Sequence, residues 1–185
     1  QAKEILLTET NTVIIDSQID RESIGPAILK LLELDKLNDN TPIYVYIHSP
    51  GGIVVEAESF IYVALQSRRK VHTIANFAAS AAFTIVQSLN RRYILNDSQM
   101  LTHKVRFYMF LVDNNSEKYL KEALDSSLQS YAMSAKRIGM SLSDYNILMS
   151  KEVWFKGVNI LRMNMADEII TYTCSDKLLK SGSCP

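Results

Sequence analysis

From Val71 to Asn90 the chain runs twenty residues without Asp, Glu, Lys or Arg, bounded by Lys70 and Arg91. A segment that long and that free of charge belongs inside something apolar, either a bilayer or a protein core. Its own residues reject the bilayer. His72, Thr73, Asn76, Ser80, Thr84, Gln87, Ser88 and Asn90 would each need a hydrogen-bonding partner in hydrocarbon. The stretch predicts instead a strand from Val71 to Ala75 and, beyond Ser80, a buried helix.

The flanking sequence repeats that pattern. Thr12-Val13-Ile14-Ile15-Asp16 and Ile43-Tyr44-Val45-Tyr46-Ile47 are short β-branched and aromatic runs, and Ile24, Ile28, Leu31, Leu32 and Leu34 recur between them at helical spacing. Ser49-Pro50-Gly51-Gly52 then breaks the chain before Val54, Ala57, Ile61, Ala64 and Leu65 repeat the helical spacing. Strand, helix, strand in alternation implies a parallel sheet with helices on its faces, an α/β fold. Further strands are expected at Tyr93–Leu95 and Met100–His103, separated by the turn residues Asn96-Asp97-Ser98, and over Val105–Val112.

At 185 residues the chain suits a single domain over 1–185. Twenty basic and twenty acidic residues cancel, so no overall field draws the protein to nucleic acid or anionic lipid. The clusters Arg68-Arg69-Lys70 and Arg91-Arg92 flank apolar segments and read as solvated ends of buried elements.

Leu120, Leu124, Leu128, Tyr131, Ala135 and Ile138 draw an apolar stripe along a helix from Asn115 to Ile138. At about 1.5 Å per residue such a helix exceeds roughly 30 Å and projects from a small domain, so part of its stripe calls for a second subunit. Gly139 ends it, and Ser141 with Asp144 opens the next helix as a capping box. This handle region spans about 104–140. In the polar tail, about 173–185, Cys174 and Cys184 match no metal spacing; a disulfide and a pair of free thiols both fit. The opening at Gln1 reads as a processed or trimmed product, and no signal peptide is recognised. With the two cysteines, it leaves an exported form open.

Within Asn76-Phe77-Ala78-Ala79-Ser80-Ala81-Ala82, small residues surround a serine at a strand-to-helix junction. A serine exposed at a sharp turn of that kind needs such neighbours, because the backbone there packs against itself. A tightly packed buried helix would read the same way. A nucleophilic serine also needs a base. His48 and His103 both end strands, whereas His72 begins one, and the carboxyl ends of parallel strands share one crevice. That favours His48 and His103 without choosing between them. Backbone amides at Gly51-Gly52 and just after Ser80 are candidate donors to an oxyanion.

Ile43 to Gly52, Ala78-Ala79-Ser80-Ala81 and Asn96 to His103 together resemble the proteolytic subunit of the Clp protease, a serine peptidase with the crotonase-like fold. The likeness extends from about Thr12 to Thr171. It implies repeated ββα and βαβ units with a long projecting handle helix. By it Ser80 is the nucleophile, His103 the base, Gly52 and Ala81 the oxyanion amides, and Gly51 and Val105 substrate-binding positions. Carrying the register back from Ala166-Asp167-Glu168-Ile169 places Glu152 where the family has an aspartate. Without the resemblance, Glu152 reads as a surface residue paired with Lys151 or Lys156. The family works on peptides or unfolded proteins as a ring-shaped homo-oligomer, which would need no metal or organic cofactor, and the resemblance points to the cytoplasm.

Several departures accompany the likeness. Asn76 stands where the family has glycine, and Lys104-Val105 follow His103 in place of Gln-Pro. Arg106-Phe107-Tyr108-Met109-Phe110 replaces a glycine-rich strand that helps the family's rings pair, which leaves double-ring assembly open. Eleven residues precede Thr12, fewer than the family's pore-gating segment, which leaves dependence on an ATPase partner open. Two rival readings remain: a non-catalytic scaffold subunit, and a crotonase-type acyl-CoA enzyme working through carboxylates.

Overall fold

The computed structural model describes residues 2–106 and 116–185. In chain order the elements are β1 (Lys3–Leu7), β2 (Thr12–Ile15), α1 (Arg21–Asp35), β3 (Ile43–Ser49), α2 (Val54–Gln66), β4 (Val71–Ala79), α3 (Ala81–Ser88), β5 (Arg92–Leu101), α4 (Ser116–Ile138), α5 (Leu142–Lys151), β6 (Trp154–Lys156), α6 (Val158–Arg162), β7 (Glu168–Cys174) and α7 (Asp176–Lys180). The strand order is β1-β7-β5-β4-β3-β2, with β6 added antiparallel to β5 and every other pair parallel. The α/β architecture expected from the alternating periods is thus present. No helix among the described residues is long and apolar enough to cross a membrane.

Central strands β3 and β4 are buried along most of their length, as parallel strands covered on both faces must be. On one face the helices α1, α2 and α3 close the main core, with Ile24, Leu31, Phe60, Phe83, Ile85 and Val86 all fully buried. On the other face Ile5, Leu7, Tyr46, Ile74, Tyr93, Ile170 and Leu178 form a second, smaller core. That second core exists because the sheet curls: β1 and β2 stand at opposite ends of the strand order yet are joined by the short turn around Thr8–Asn11.

β1 was not foreseen from sequence. Its run Lys-Glu-Ile-Leu-Leu begins with two charges and alternates exposed and buried residues only briefly, the pattern of an edge strand whose pairing is decided by β7 far away in the chain. Two expected strands around Asn96-Asp97-Ser98 merge into β5. There the turn residues form a bulge: Ala75 pairs with Ile94, but Phe77 pairs with Gln99. Ser98 satisfies that bulge, its Oγ donating to Ala75 O at 2.7 Å and accepting from the Leu95 amide at 2.7 Å.

The basic clusters also differ from expectation. Arg69 and Arg92 are buried, not solvated. Arg92 donates through Nη1 to Gln87 Oε1 (2.7 Å) and Asn164 O (2.8 Å) and through Nη2 to Asp167 Oδ1 (2.7 Å). A guanidinium carries enough donors to be buried when acceptors converge on it, which a sequence window cannot show. Burial raises the Asp167 pKa, but the hydrogen bonds from Arg92 and its charge outweigh that and hold the carboxyl below its ordinary value.

α4 begins at Ser116 and runs to Ile138, with Gly139 at φ 88 ending it and Ser141 capping α5 through the Asp144 amide at 3.0 Å. Its lower end is packed through Ala135 and Ile138, while Leu124, Leu128 and Met133 are about half exposed. The strand expected over Val105–Val112 lies, from residue 107 onward, outside the described residues. In the tail, Cys174 and Cys184 are joined as a disulfide, which settles the pairing the sequence left open.

His72, the second residue of β4, lies between Tyr44 and Tyr93, with ring centroids 5.9 and 5.8 Å away, and its Nδ1 has no partner among the described residues. Desolvation, aided by the charges of Lys3, Arg91 and Lys70, lowers its pKa from 6.5 to about 4. An unfolded chain therefore binds more protons at this position between those values, so stability is complete above pH 6.5 and falls as pH drops toward 4. Urea midpoints across this range should decline, and His72→Phe should flatten the decline.

Candidate active site

Three adjacent strands end at one edge of the sheet, and each delivers one candidate group. β3 ends at Ser49 and is followed by Gly51-Gly52; β4 ends at Ala79 and is followed by Ser80; β5 ends at Leu101 and is followed, two residues on, by His103. Pairing holds them level, since Ser49 lies opposite Ala78 and Ala79 opposite Leu101. The Ser80 amide donates to Leu101 O at 3.0 Å, which ties the serine turn to the segment that carries His103.

Ser80 sits at φ 58, ψ −124, a conformation that favours glycine and costs a serine about 1–3 kcal/mol. It occupies the N-cap of α3, yet its hydroxyl makes no capping bond to the helix. A serine placed there for helix stability would cap. The strain and the missing capping bond give a sharp strand-to-helix elbow at Ser80, with the positive end of α3 directly behind it.

The glycine turn is pressed against that elbow. A Cβ on Gly51, which has φ 90, would lie 2.5 Å from Ala79 O, 2.7 Å from Ser80 Cβ and 3.0 Å from the Ala81 nitrogen. Any side chain at 51 would therefore displace the serine. Ser49 Oγ accepts from the Gly51 amide at 3.1 Å and fixes the start of the turn. On its far side Ile19 clamps it, donating to Gly51 O at 2.8 Å and accepting from Ile53 at 2.8 Å, and a Cβ on Gly52 would lie 2.2 Å from Ile19 O. Ala81 begins a helix, so its amide has no intrahelical acceptor.

His103 is held from both sides. Thr102 Oγ1 shares a 2.8 Å hydrogen bond with the Tyr145 hydroxyl of α5, and the Val105 amide donates to the Tyr131 hydroxyl of α4 at 2.6 Å. Burial raises the pKa of Tyr145 and of Tyr131, which keeps both hydroxyls protonated and available for these bonds. The imidazole is mostly covered, 17% exposed, and its Nδ1 is buried without a hydrogen-bond partner among the described residues.

Glu152 arrives by a separate route. β6 pairs antiparallel with β5, Trp154 opposite Leu101, so the residue two places before Trp154 lies beyond the end of β5. Glu152 is the C-cap of α5 in the left-handed conformation, φ 49, ψ 46. Its Oε1 lies 3.9 Å from His103 Nδ1 and forms an ion pair with Arg106 Nη2. Neither Lys151 nor Lys156 pairs with it among the described residues. Arg106 was not picked out from sequence as a site residue; a cation three positions after the candidate base was the available signal.

Of the other candidates, His48 is exposed on β3, its Nδ1 3.2 Å from Asn76 Nδ2 and its ring 5.5 Å from Phe77. His72 lies at the opposite end of β4 from Ser80. Phe77 stacks on Trp154 at 5.3 Å, so aromatic rings from β3, β4 and β6 line the sheet face beside the edge that carries the site.

Comparison with known proteins follows the same stretch of chain. The Clp protease family matches residues 3–173. The ATP-dependent Clp protease proteolytic subunit 2 of Treponema pallidum (strain Nichols) is 24% identical over 165 residues, 88% of this chain and 83% of that protein. The ATP-dependent Clp protease proteolytic subunit of Dehalococcoides mccartyi is 32% identical over 103 residues, 54% of this chain and 51% of that protein, so the alignment spans about half of that relative. With the match running through β1 to β7, and through the serine elbow, the glycine turn and the end of β5, the chain belongs to the Clp protease family.

Proposed function

We propose that the protein is a serine-type endopeptidase acting through Ser80, His103 and Glu152. The observation that carries this reading is the strained Ser80 elbow, its hydroxyl not spent on capping, pressed against Gly51 and tied to the strand end that leads to His103. Family membership supports the peptidase class.

In this mechanism Ser80 Oγ attacks the carbonyl carbon of a peptide bond while His103 takes the hydroxyl proton. The carbonyl oxygen becomes an oxyanion, stabilised by the amides of Gly52 and Ala81 at the positive end of α3. His103 gives the proton to the leaving amine, the C–N bond breaks, and an acyl-enzyme remains. Water then attacks the ester with His103 again as base, releasing the acid and restoring Ser80. Glu152 orients the imidazole and stabilises its charged form, the part an aspartate plays in such a triad.

Gly51 and the segment at Val105 would receive an extended peptide, although the Val105 amide itself is engaged by Tyr131. The chain works as one domain and self-associates through α4, whose half-exposed Leu124, Leu128 and Met133 favour cover by a second copy. A fluorophosphonate probe should label the folded protein at Ser80, as mapped by mass spectrometry of the intact assembly. No label at Ser80 would return the scaffold reading.

A further inference from the structure

We infer that Arg106 is a positioning residue that holds the Glu152 carboxylate back from His103 and so sets the resting activity of the site. The inference rests on the peptidase reading above. One oxygen, Glu152 Oε1, faces both partners: it is paired with Arg106 Nη2, while His103 Nδ1 stands 3.9 Å away, beyond hydrogen-bond distance. The imidazole is buried on that side and its Nδ1 has no partner among the described residues, a costly arrangement that persists while Arg106 holds the nearest acceptor.

Among the described residues no other acceptor engages His103 Nδ1. Lys104 and Arg106 on its own segment are cationic. Tyr145 of α5 is committed to Thr102, and Tyr131 of α4 accepts from the Val105 amide. Ser80 follows β4 at the same sheet edge and in the mechanism gives a proton to the other side of the ring. Glu152 is the one carboxylate within 4 Å of the imidazole among the described residues.

Arg106 and Glu152 are 61% and 47% exposed, so water and salt compete with their pair and a small displacement frees the carboxylate. Freed, Glu152 needs a shift of about one ångström to hydrogen-bond Nδ1. Arg106 thus acts as a weak latch on the acid rather than as a support for it.

The test compares Arg106→Gln and Arg106→Lys with the unsubstituted protein on a fluorogenic peptide. Arg106→Gln should raise kcat about two- to fivefold with KM unchanged, the range an exposed ion pair can hold back. Arg106→Lys should keep most of the restraint. The gain should vanish when Arg106→Gln is placed on Glu152→Gln, because the latch has nothing left to hold. A second readout does not depend on hydrolysis: the low-field proton resonance of His103 Nδ1–H should strengthen in Arg106→Gln as the carboxylate engages it. Unchanged or lower kcat in a folded Arg106→Gln protein overturns the proposal, and so does a gain that survives Glu152→Gln. If the unsubstituted protein neither hydrolyses peptide nor reacts with a fluorophosphonate at Ser80, the peptidase reading fails. The resonance then decides alone, and its constancy in Arg106→Gln overturns the latch.

Discussion

Ser80→Ala is expected to reduce peptide turnover by about 10⁴- to 10⁶-fold, with His103→Ala losing a similar amount and the double variant losing little more. The two side chains act as one unit: a hydroxyl without a base is a poor nucleophile, and a base without the hydroxyl has no proton to take. Near-equal losses and gross non-additivity are therefore the signature to look for. Because Ser80 is strained at φ 58, alanine at that position keeps the strain and the packing against Gly51 while removing the oxygen alone. Thermal melts of the Ser80→Ala protein should match the unsubstituted protein, which separates loss of chemistry from loss of fold. Peptidase activity retained in a clean Ser80→Ala preparation would end the serine-peptidase reading.

Glu152→Gln is expected to cost about 10²- to 10⁴-fold in kcat. The amide keeps the shape of the carboxylate but loses the charge that stabilises an imidazolium, and it can present an N–H donor where His103 needs an acceptor. The effect is smaller than for Ser80 because the hydroxyl and the imidazole are both still present and only the orientation and charge support of the base are lost. An unchanged rate would make Glu152 an ordinary surface partner of Arg106, its left-handed C-cap conformation serving only the end of α5.

Much of this molecule was readable before any coordinates. Val71–Asn90 yielded a strand and a buried helix because a charge-free run with scattered polar residues has few other solutions, and β4 and α3 occupy it. Gly139, Ser141 and Asp144 marked the α4–α5 junction because caps are local chemistry, set by residues a few positions apart. β1 was missed for the converse reason. Its edge position and its pairing with β7 are long-range facts, and its five residues carry too short an alternation to announce them. Asn96-Asp97-Ser98 read as a turn between two strands and formed a bulge within one, since β4 and β6 hold the chain on both sides of it.

The amino-acid order by itself determined the alternation of strands and helices, the small residues around Ser80 and the glycines that let two turns touch, because periodicity, side-chain size and backbone freedom are properties of short windows. Tertiary structure alone decided the rest. It leveled the ends of β3, β4 and β5, so that Gly51, Ser80 and the His103 segment meet at one edge. It folded β6 back so that Glu152 faces His103 from dozens of residues away, and it set Arg106 against the same oxygen. It buried Arg92 where converging acceptors could hold its charge. Hydrogen bonds and ion pairs act over a few ångströms of space, and the distance along the chain between their partners carries no record of them.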